Sequence, residues 1–465
     1  MGNSKLSRRH FLQLTGGMLG VAALAACTPP AAAPGNGDGG GAPQETDSLW
    51  FVIAKDFHPG YDAFLRESVQ AWTAEQGLEL EMVDSAGFAS GSGELEKLAA
   101  SVQSGDAPDL VHGTYAATQV QNLGLVVPAS DIVSEIEEVY GPAAPFLQQT
   151  LVLDGEWQVI PHHQRSVGGY YRRDAFDEAG IDLQEIRTLD DTREACLAVS
   201  KPDEEFYGWG LTPNRSGDGN GIINRVKCGY GAGWQDETGQ FITCNSDEMI
   251  TAMNWLKDTY TDPAYEAMLP PGILAWNDIS NNEAYLGGVI GYTHNAGTVY
   301  AKAVIDENPV APLTNYHKPP GGPVNQEFVS MPAKMWYMMT GAKNASAARD
   351  MVLHFTANLE VMDSILASSP AYAIPGYTNL WEMSEFTQGF EPALQQKTAA
   401  LDESGIDAGP WPGPPSAAMD AIGESGAFND MVNSILTGTE VTEAISIAHD
   451  RMVLIFKEFD LPGEA

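Results

Sequence analysis

Basic residues are scarce in this chain: 24 Lys and Arg stand against 62 Asp and Glu, a net charge of −38 over 465 residues. Setting aside residues 1–26, which carry Lys5, Arg8 and Arg9 and no acid, deepens the deficit by three charges. A surface so negative repels phosphate backbones and anionic lipid, so nucleic acid is excluded as a partner. Two uses of the acids remain: adaptation to salty or acidic surroundings, or attraction of a cationic ligand. Screening within roughly 10 Å at moderate salt favours the first. Several signatures are missing as well. No G-x-x-x-x-G-K-[ST] loop, G-x-G-x-x-G turn, G-x-S-x-G elbow or H-E-x-x-H helix occurs, which removes the common nucleotide, esterase and metalloprotease sites. Abundant carboxylates without known geometry say nothing for a glycosidase pair. Apart from Leu14 to Ala26 there is no long apolar run, and that one is short for a membrane span. No repeat of 20–50 residues is evident. Cysteine is rare too. Of four, Cys228 and Cys244 flank a turn-rich stretch (Gly231 to Gln240) and are close enough in sequence to bridge, Cys196 lies on an amphipathic segment, and the spacings fit no zinc site. Adjacent His162 and His163 would point to opposite faces of a strand and not share a metal. No metal and no cofactor are expected.

The amino terminus is an address. Ser7-Arg8-Arg9-His10-Phe11-Leu12 is a twin-arginine pattern, and Leu24-Ala25-Ala26-Cys27 resembles a bacterial lipobox. Together they imply a signal peptide over 1–26, cleavage before Cys27 and lipidation of that cysteine, leaving the protein anchored at a membrane surface rather than spanning it. Residues 27–46 are rich in Pro, Gly and Ala without apolar period, the composition of a disordered tether.

About 420 residues follow, too many for one core and comfortable for two lobes. Strand and helix patterns alternate. Ser48 to Ala54 reads as a strand, Tyr61 to Gln76 as a helix, Leu78 to Val83 as a strand and Glu94 to Gln103 as a helix. Such alternation predicts parallel, helix-covered sheets of an α/β protein, with ligands meeting the loops at the carboxyl ends of strands. On that rule Asp56, His58, Thr114 and Tyr115 face one side of a cleft. Further on, Phe206 to Pro213 is expected as a strand and Asn214 to Gly221 as its Gly-rich loop. Ser246 to Tyr260 is an amphipathic helix with an acidic start. Trp276 to Asn295 reads as a helix followed by a strand that ends at the cleft in Tyr292, Thr293, His294 and Asn295. Phe328 to Met339 reads as a returning strand pair.

The stretch from Val159 to Ile181 changes character. Pro161 suits a crossover better than a strand interior, the run His162-His163-Gln164-Arg165 needs partners if buried, and a strand ending in Tyr171 leads to a short helix closed by Gly180. This pattern resembles the interlobe crossover of family 1 extracellular solute-binding proteins, the receptors of carbohydrate-type ABC importers. Gly105-Asp-Ala-Pro108-Asp109, the Trp276 to Asn295 module, Asn344-Ala-Ser and Tyr372-Ala-Ile-Pro-Gly-Tyr377 are similar to further segments of that family. The usual Gly-Lys-Ala-Met core of the module reads Gly-Gly-Val-Ile here. The resemblance implies a two-lobed, periplasmic-binding-protein-like fold with an interlobe cleft and crossover hinge strands. The lobes expected from it are 47–160 with 336–376, and 161–335 with 377–465. It also implies a monomeric, extracytoplasmic receptor that closes on a small solute and docks on an ABC permease, with no catalysis.

A sugar presents hydroxyl edges and apolar C–H faces, so Tyr and Trp on loops are natural platforms. The expected ligand set joins Tyr115, Trp276, Tyr292, Tyr372 and Trp411, the last stiffened by flanking prolines, to the polar residues Asp56, His58, Thr114, Asn214, Arg215 and Asn295. Trp209 and Trp234 share the loop assignment. Arg165, in the crossover where both lobes reach it, has a planar fork suited to vicinal hydroxyls or a carboxylate. The solute is expected to be a mono- or oligosaccharide. A cationic or amino-containing solute such as a polyamine, and a surface carbohydrate-active enzyme, are the alternatives.

Overall fold

The computed structural model describes residues 47–464 apart from 57–58, 86–92, 386, 388, 390 and 404. The leader, Cys27, the tether and His58 lie outside the described residues. Two sheets carry the fold. The first runs in the order β2-β1-β3-β11-β6, from β1 (Ser48–Ala54), β2 (Glu79–Ser85), β3 (Leu110–Gly113), β6 (Ile160–Gln164) and β11 (Ala333–Met338). The second is β10-β7-β9-β8, from β7 (Gly168–Arg172), β8 (Tyr207–Trp209), β9 (Ile290–Asn295) and β10 (Thr314–His317). A short hairpin pairs β4 (Val152–Leu153) with β5 (Glu156–Trp157).

The alternation of side chains along β1 explains why the first sheet is covered on both faces. Leu49, Phe51 and Ile53 enter one cluster with Trp336, Met351 and Phe355, whereas Val52 joins Val111, Met335 and Tyr337 on the opposite face. The second sheet repeats this: Tyr171, Trp209 and Tyr292 face one cluster, and Tyr170, Ile290 and Tyr316 the other. Helices pack over both, so β3, β6, β9, β10 and β11 are buried along their whole length.

The sheets are mixed rather than all parallel. β1 runs parallel to β2 and β3, but β11 is antiparallel to both β3 and β6; in the second sheet only β8 and β9 are parallel. The reversed strands are those flanking the changeovers. The chain leaves the first sheet after Gln164 and enters the second at Gly168, then leaves the second after His317 and re-enters the first at Ala333. Backbone bonds tie the two passages together: the Arg165 N–H donates to Pro332 O (2.8 Å) and the Val167 N–H to Ser330 O (2.9 Å). A third passage, around Ile374, hydrogen-bonds Gln164 in both directions (2.8 and 3.0 Å) before the chain continues to helices packed on the second sheet's core.

One segment expected as a loop is largely helical. Gly217–Gly229 forms a helix whose first turn is glycine-rich. The Ser216 hydroxyl caps it from within, accepting from the Gly219 N–H, and the Asp278 carboxylate accepts the Gly217 and Asp218 N–H groups at 3.0 Å each. These acceptors satisfy amides that a glycine-rich turn would otherwise leave to water, offsetting its poor helix propensity. Cys196, Cys228 and Cys244 are buried free thiols. Among the described residues no helix is long and apolar enough to cross a membrane.

Candidate functional site

Between the two sheets, at the changeovers, lies a cavity of about 370 Å³. One wall comes from the first sheet: Asp56 just beyond β1, Thr114 just beyond β3, and Lys334 on β11. The other comes from the start of the Gly217–Gly229 helix (Asp218, Gly221, Arg225), the Asp278–Leu286 helix (Asp278, Asn282) and the end of β9 (His294, Asn295). Arg165, Val167, Ser330 and Tyr372, from the passages, join the walls, and Asp407 to Gly409 close one side.

Each wall holds its own charge cluster. Lys334 Nζ lies 2.9 Å from Asp56 Oδ2, with both side chains all but fully buried. The Tyr372 hydroxyl donates to the same carboxylate at 2.8 Å. Burial alone would raise the Asp56 pKa; the Lys334 ammonium, then Arg165 and the Tyr372 hydroxyl, outweigh it and hold the carboxyl well below the usual range. Opposite, burial and then the Asp278 charge raise Asp218 well above an ordinary carboxyl, while Asn281 Nδ2 donates to it at 2.8 Å. Arg225 Nη2 donates to His294 Nε2, so the imidazole proton sits on Nδ1. Burial, with Arg225 alongside, drives the His294 pKa far down and keeps the ring neutral. Gly221 makes this approach possible, because a Cβ there would stand 2.4 Å from His294 Cε1.

Donors are left over. Arg165 Nε, Arg225 Nη1 and His294 Nδ1 are buried with no hydrogen-bond partner among the described residues. Buried polar groups are rarely left unsatisfied, so their concentration around one cavity is the mark of a site that waits for hydroxyls or water.

The structure brings Asp56, Thr114, Arg165, Asn295 and Tyr372 to this cavity. Tyr115 and Arg215 line an adjoining cavity of about 770 Å³, which shares Thr114 with the first. Four others are occupied elsewhere. Asn214 Nδ2 donates to Trp276 O at 3.1 Å, and the Trp276 ring packs against the hydrophobic clusters of the second sheet. Tyr292 is fully buried, its hydroxyl bonded to His317 Nδ1 at 3.1 Å; only the last two positions of β9 reach the carboxyl edge. Trp411 lines neither cavity, and its carbonyl accepts Lys227 Nζ at 2.9 Å. Trp209 and Trp234 are core residues with no exposure, Trp234 stacked on Phe428 at 4.2 Å. Apart from the His294 imidazole, the cavity's only aromatic side chains among the described residues are Phe328 and Tyr372.

Lys334, Asp218, Arg225 and Asp407 escaped the sequence reading. Lys334 did leave a signal: it is a lone cation inside an apolar run, Ala333 to Met338. Such a residue must find a buried partner or face a cavity.

Comparison with known proteins gives one consistent picture. The sequence profile described as bacterial extracellular solute-binding protein matches residues 58–357. A mannitol-binding protein of Pseudomonas aeruginosa is 26% identical over 139 residues, 30% of this chain; the aligned stretch spans 31% of that relative's length. Among solved structures, a maltose-bound protein of T. maritima superposes with a TM-score of 0.69 at 15% identity, covering 88% of this chain and 99% of its own. An ABC transporter solute-binding protein of Agrobacterium radiobacter in complex with ribitol gives 0.69 at 17% identity, covering 90% and 100%. Another from Agrobacterium vitis, with bound D-mannitol, gives 0.66 at 18% identity, covering 89% and 98%.

Proposed function

This chain belongs to the bacterial extracellular solute-binding proteins, and from that premise we propose that it captures a small polyhydroxylated solute, a sugar or sugar alcohol, between its two sheets and delivers it to the permease of an ABC importer. The observation that carries the reading is the mixture of acidic and basic groups on the cavity wall. Asp56, Asp218, Asp278 and Asp407 line it together with Lys55, Arg165, Arg225 and Lys334, four acidic side chains, of which burial holds Asp218 toward its neutral form, and four basic ones. A neutral solute rich in hydroxyls satisfies both signs, accepting from guanidinium and donating to carboxylate. A bare polyamine or a dicarboxylate would leave half of these groups opposed by like charge. With two aromatic rings at hand, the cavity offers little stacking surface, which favours a hexitol or monosaccharide over a long oligosaccharide. The mannitol- and ribitol-binding relatives point the same way.

The mechanism is closure. One lobe is built on the first sheet and the other on the second, the two turning about the passages at 165–167, 318–332 and 369–377. The first sheet takes in all of β6 and β11, so its lobe runs to 164 and resumes at 333 rather than at the 160 and 336 expected from the sequence. Contacts from both walls exist together only when the lobes meet, so solute draws the population toward the closed form. The solute is bound without being transformed. Asp278 is engaged in capping the Gly217–Gly229 helix and Asp56 in its pair with Lys334, which fits holding a solute rather than cleaving it. The twin-arginine leader would export the folded monomer, and lipid on Cys27 would hold it at the outer face of the membrane.

A thermal-shift panel of hexitols, pentitols, monosaccharides, maltooligosaccharides and linear polyamines tests this. At a hundredfold excess over Kd the bound solute should add about 2.7 kcal/mol of apparent stability, seen as a clear rise in Tm with a hexitol or monosaccharide. A response to polyamines alone, or to none of the hydroxylated compounds, would overturn the reading.

A further inference from the structure

We propose that the second cavity recognises a protonated amine carried by the solute, so that the preferred substrates are amino sugars or amino polyols; this rests on the first cavity seating the hydroxyls. The two cavities are continuous, because Thr114, Asn224, Asp407 and Gly409 line both. Asp407 stands at the junction, and beyond it Asp420 and Glu424 project from the Ala417–Ser425 helix. Among the described residues no Lys or Arg nitrogen lies within 4.0 Å of any of these three carboxylates. Arg215 lines the same cavity but places its guanidinium on Asp430 at 3.0 Å and on Ser425 O.

The partners the acids do have are neutral. Asp420 accepts from the Thr118 hydroxyl and Glu424 from Gln119 Nε2 at 2.9 Å, both on the Ala117–Asn122 helix of the opposite wall. Hydrogen bonds from neutral donors leave the charges of Asp420 and Glu424 uncompensated, while the Lys227 ammonium offsets part of the charge on Asp407. Burial first, and then the neighbouring Glu424 and Asp407 charges against the Thr118 hydroxyl, push Asp420 up to about 6; burial likewise raises Asp407. A cation entering this space would relieve that cost.

A second, independent feature points the same way. Asn429 is fully buried and lines the cavity. Its Nδ2 donates to Asn214 O at 3.1 Å and Pro213 O at 3.4 Å, which fixes the amide orientation and leaves Oδ1 without a donor. Asn220 Oδ1, on the same lining, is also buried and unsatisfied. The wall therefore asks for hydrogen-bond donors and for positive charge, and an ammonium group supplies both. A hydroxyl supplies only the first, and an anion neither.

The test is calorimetric titration with matched pairs, glucamine against sorbitol and glucosamine against glucose, at neutral pH and low salt. The amine of at least one pair should bind about tenfold tighter or more than its parent, and the ratio should shrink as salt rises. In the Asp420→Asn, Glu424→Gln double variant the ratio should fall toward one. The salt dependence of the wild-type ratio stands as evidence even if that variant does not fold. Equal affinities, or weaker binding of both amines, would overturn the proposal while leaving the hydroxyl reading intact. Failure of all four compounds to bind would take both down.

Discussion

Replacing Lys334 with methionine is expected to destabilise the protein by about 3–5 kcal/mol, because it leaves a buried carboxylate without its nearest cation. The methionine stem fills much the same space, so the loss reads electrostatics rather than packing. Asp56 keeps the Tyr372 hydroxyl and the field of Arg165, which places the loss toward the lower end of that range. Chemical denaturation should show it as a lower midpoint with an unchanged slope. Adding Asp56→Leu should restore much of the stability, since a buried pair replaced whole by apolar groups is often close to neutral. The pH dependence has a fixed sign. The folded Asp56 pKa lies below its unfolded value of about 3.9, so its contribution is complete above that value and is lost as pH falls toward the folded pKa. The gap between wild type and the Lys334 variant should therefore narrow below about pH 4. A loss under about 1 kcal/mol at neutral pH would mean that the Asp56–Lys334 pair does not hold β1 and β11 together at the cavity.

The second large effect falls on binding. Arg165→Ala should weaken solute affinity by about 1–3 kcal/mol, roughly 5- to 150-fold, in calorimetry. Its Nε is a buried donor without an acceptor among the described residues, so a solute oxygen there would complete its bond. The link between the first two passages runs through the Arg165 backbone, not its side chain, and survives the truncation. Tm should consequently fall less than in the Lys334 variant, because Arg165 supplies only part of the field on Asp56, while affinity falls. Arg165→Lys should recover part of the loss, because a single ammonium replaces one limb of a planar fork. Unchanged affinity in the alanine variant would remove Arg165 from the site.

The sequence carried the architecture better than the site. The continuous apolar run from Leu49 to Ala54 and the acidic-start helix at 247–261 were legible because each depends on local pattern alone. The Gly217–Gly229 helix was not, because its glycine-rich first turn reads as a loop: Ser216 caps it locally, but the acceptor for the Gly217 and Asp218 amides is Asp278, some sixty residues on, which no local signal announces. The same limit governed the residues that line the cavity. Strand-end logic located Asp56, Thr114 and Asn295, since carboxyl ends of strands face the cleft as a matter of topology. The aromatic argument misplaced Trp276, Tyr292 and Trp411: knowing that a ring lies near a loop does not tell which side of the loop it packs on. Nor can a chain read in one dimension pair Lys334 with Asp56, although the lone lysine in an apolar strand marked that a partner must exist.

The most direct test of the whole account is a crystal structure of the protein grown with the hydroxylated solute that gives the largest thermal shift. Density for that solute should lie between Asp56 and Asp218, with its oxygens within hydrogen-bond distance of Arg165 and of residues on both walls. Density elsewhere on the molecule, or touching one wall alone, would contradict it.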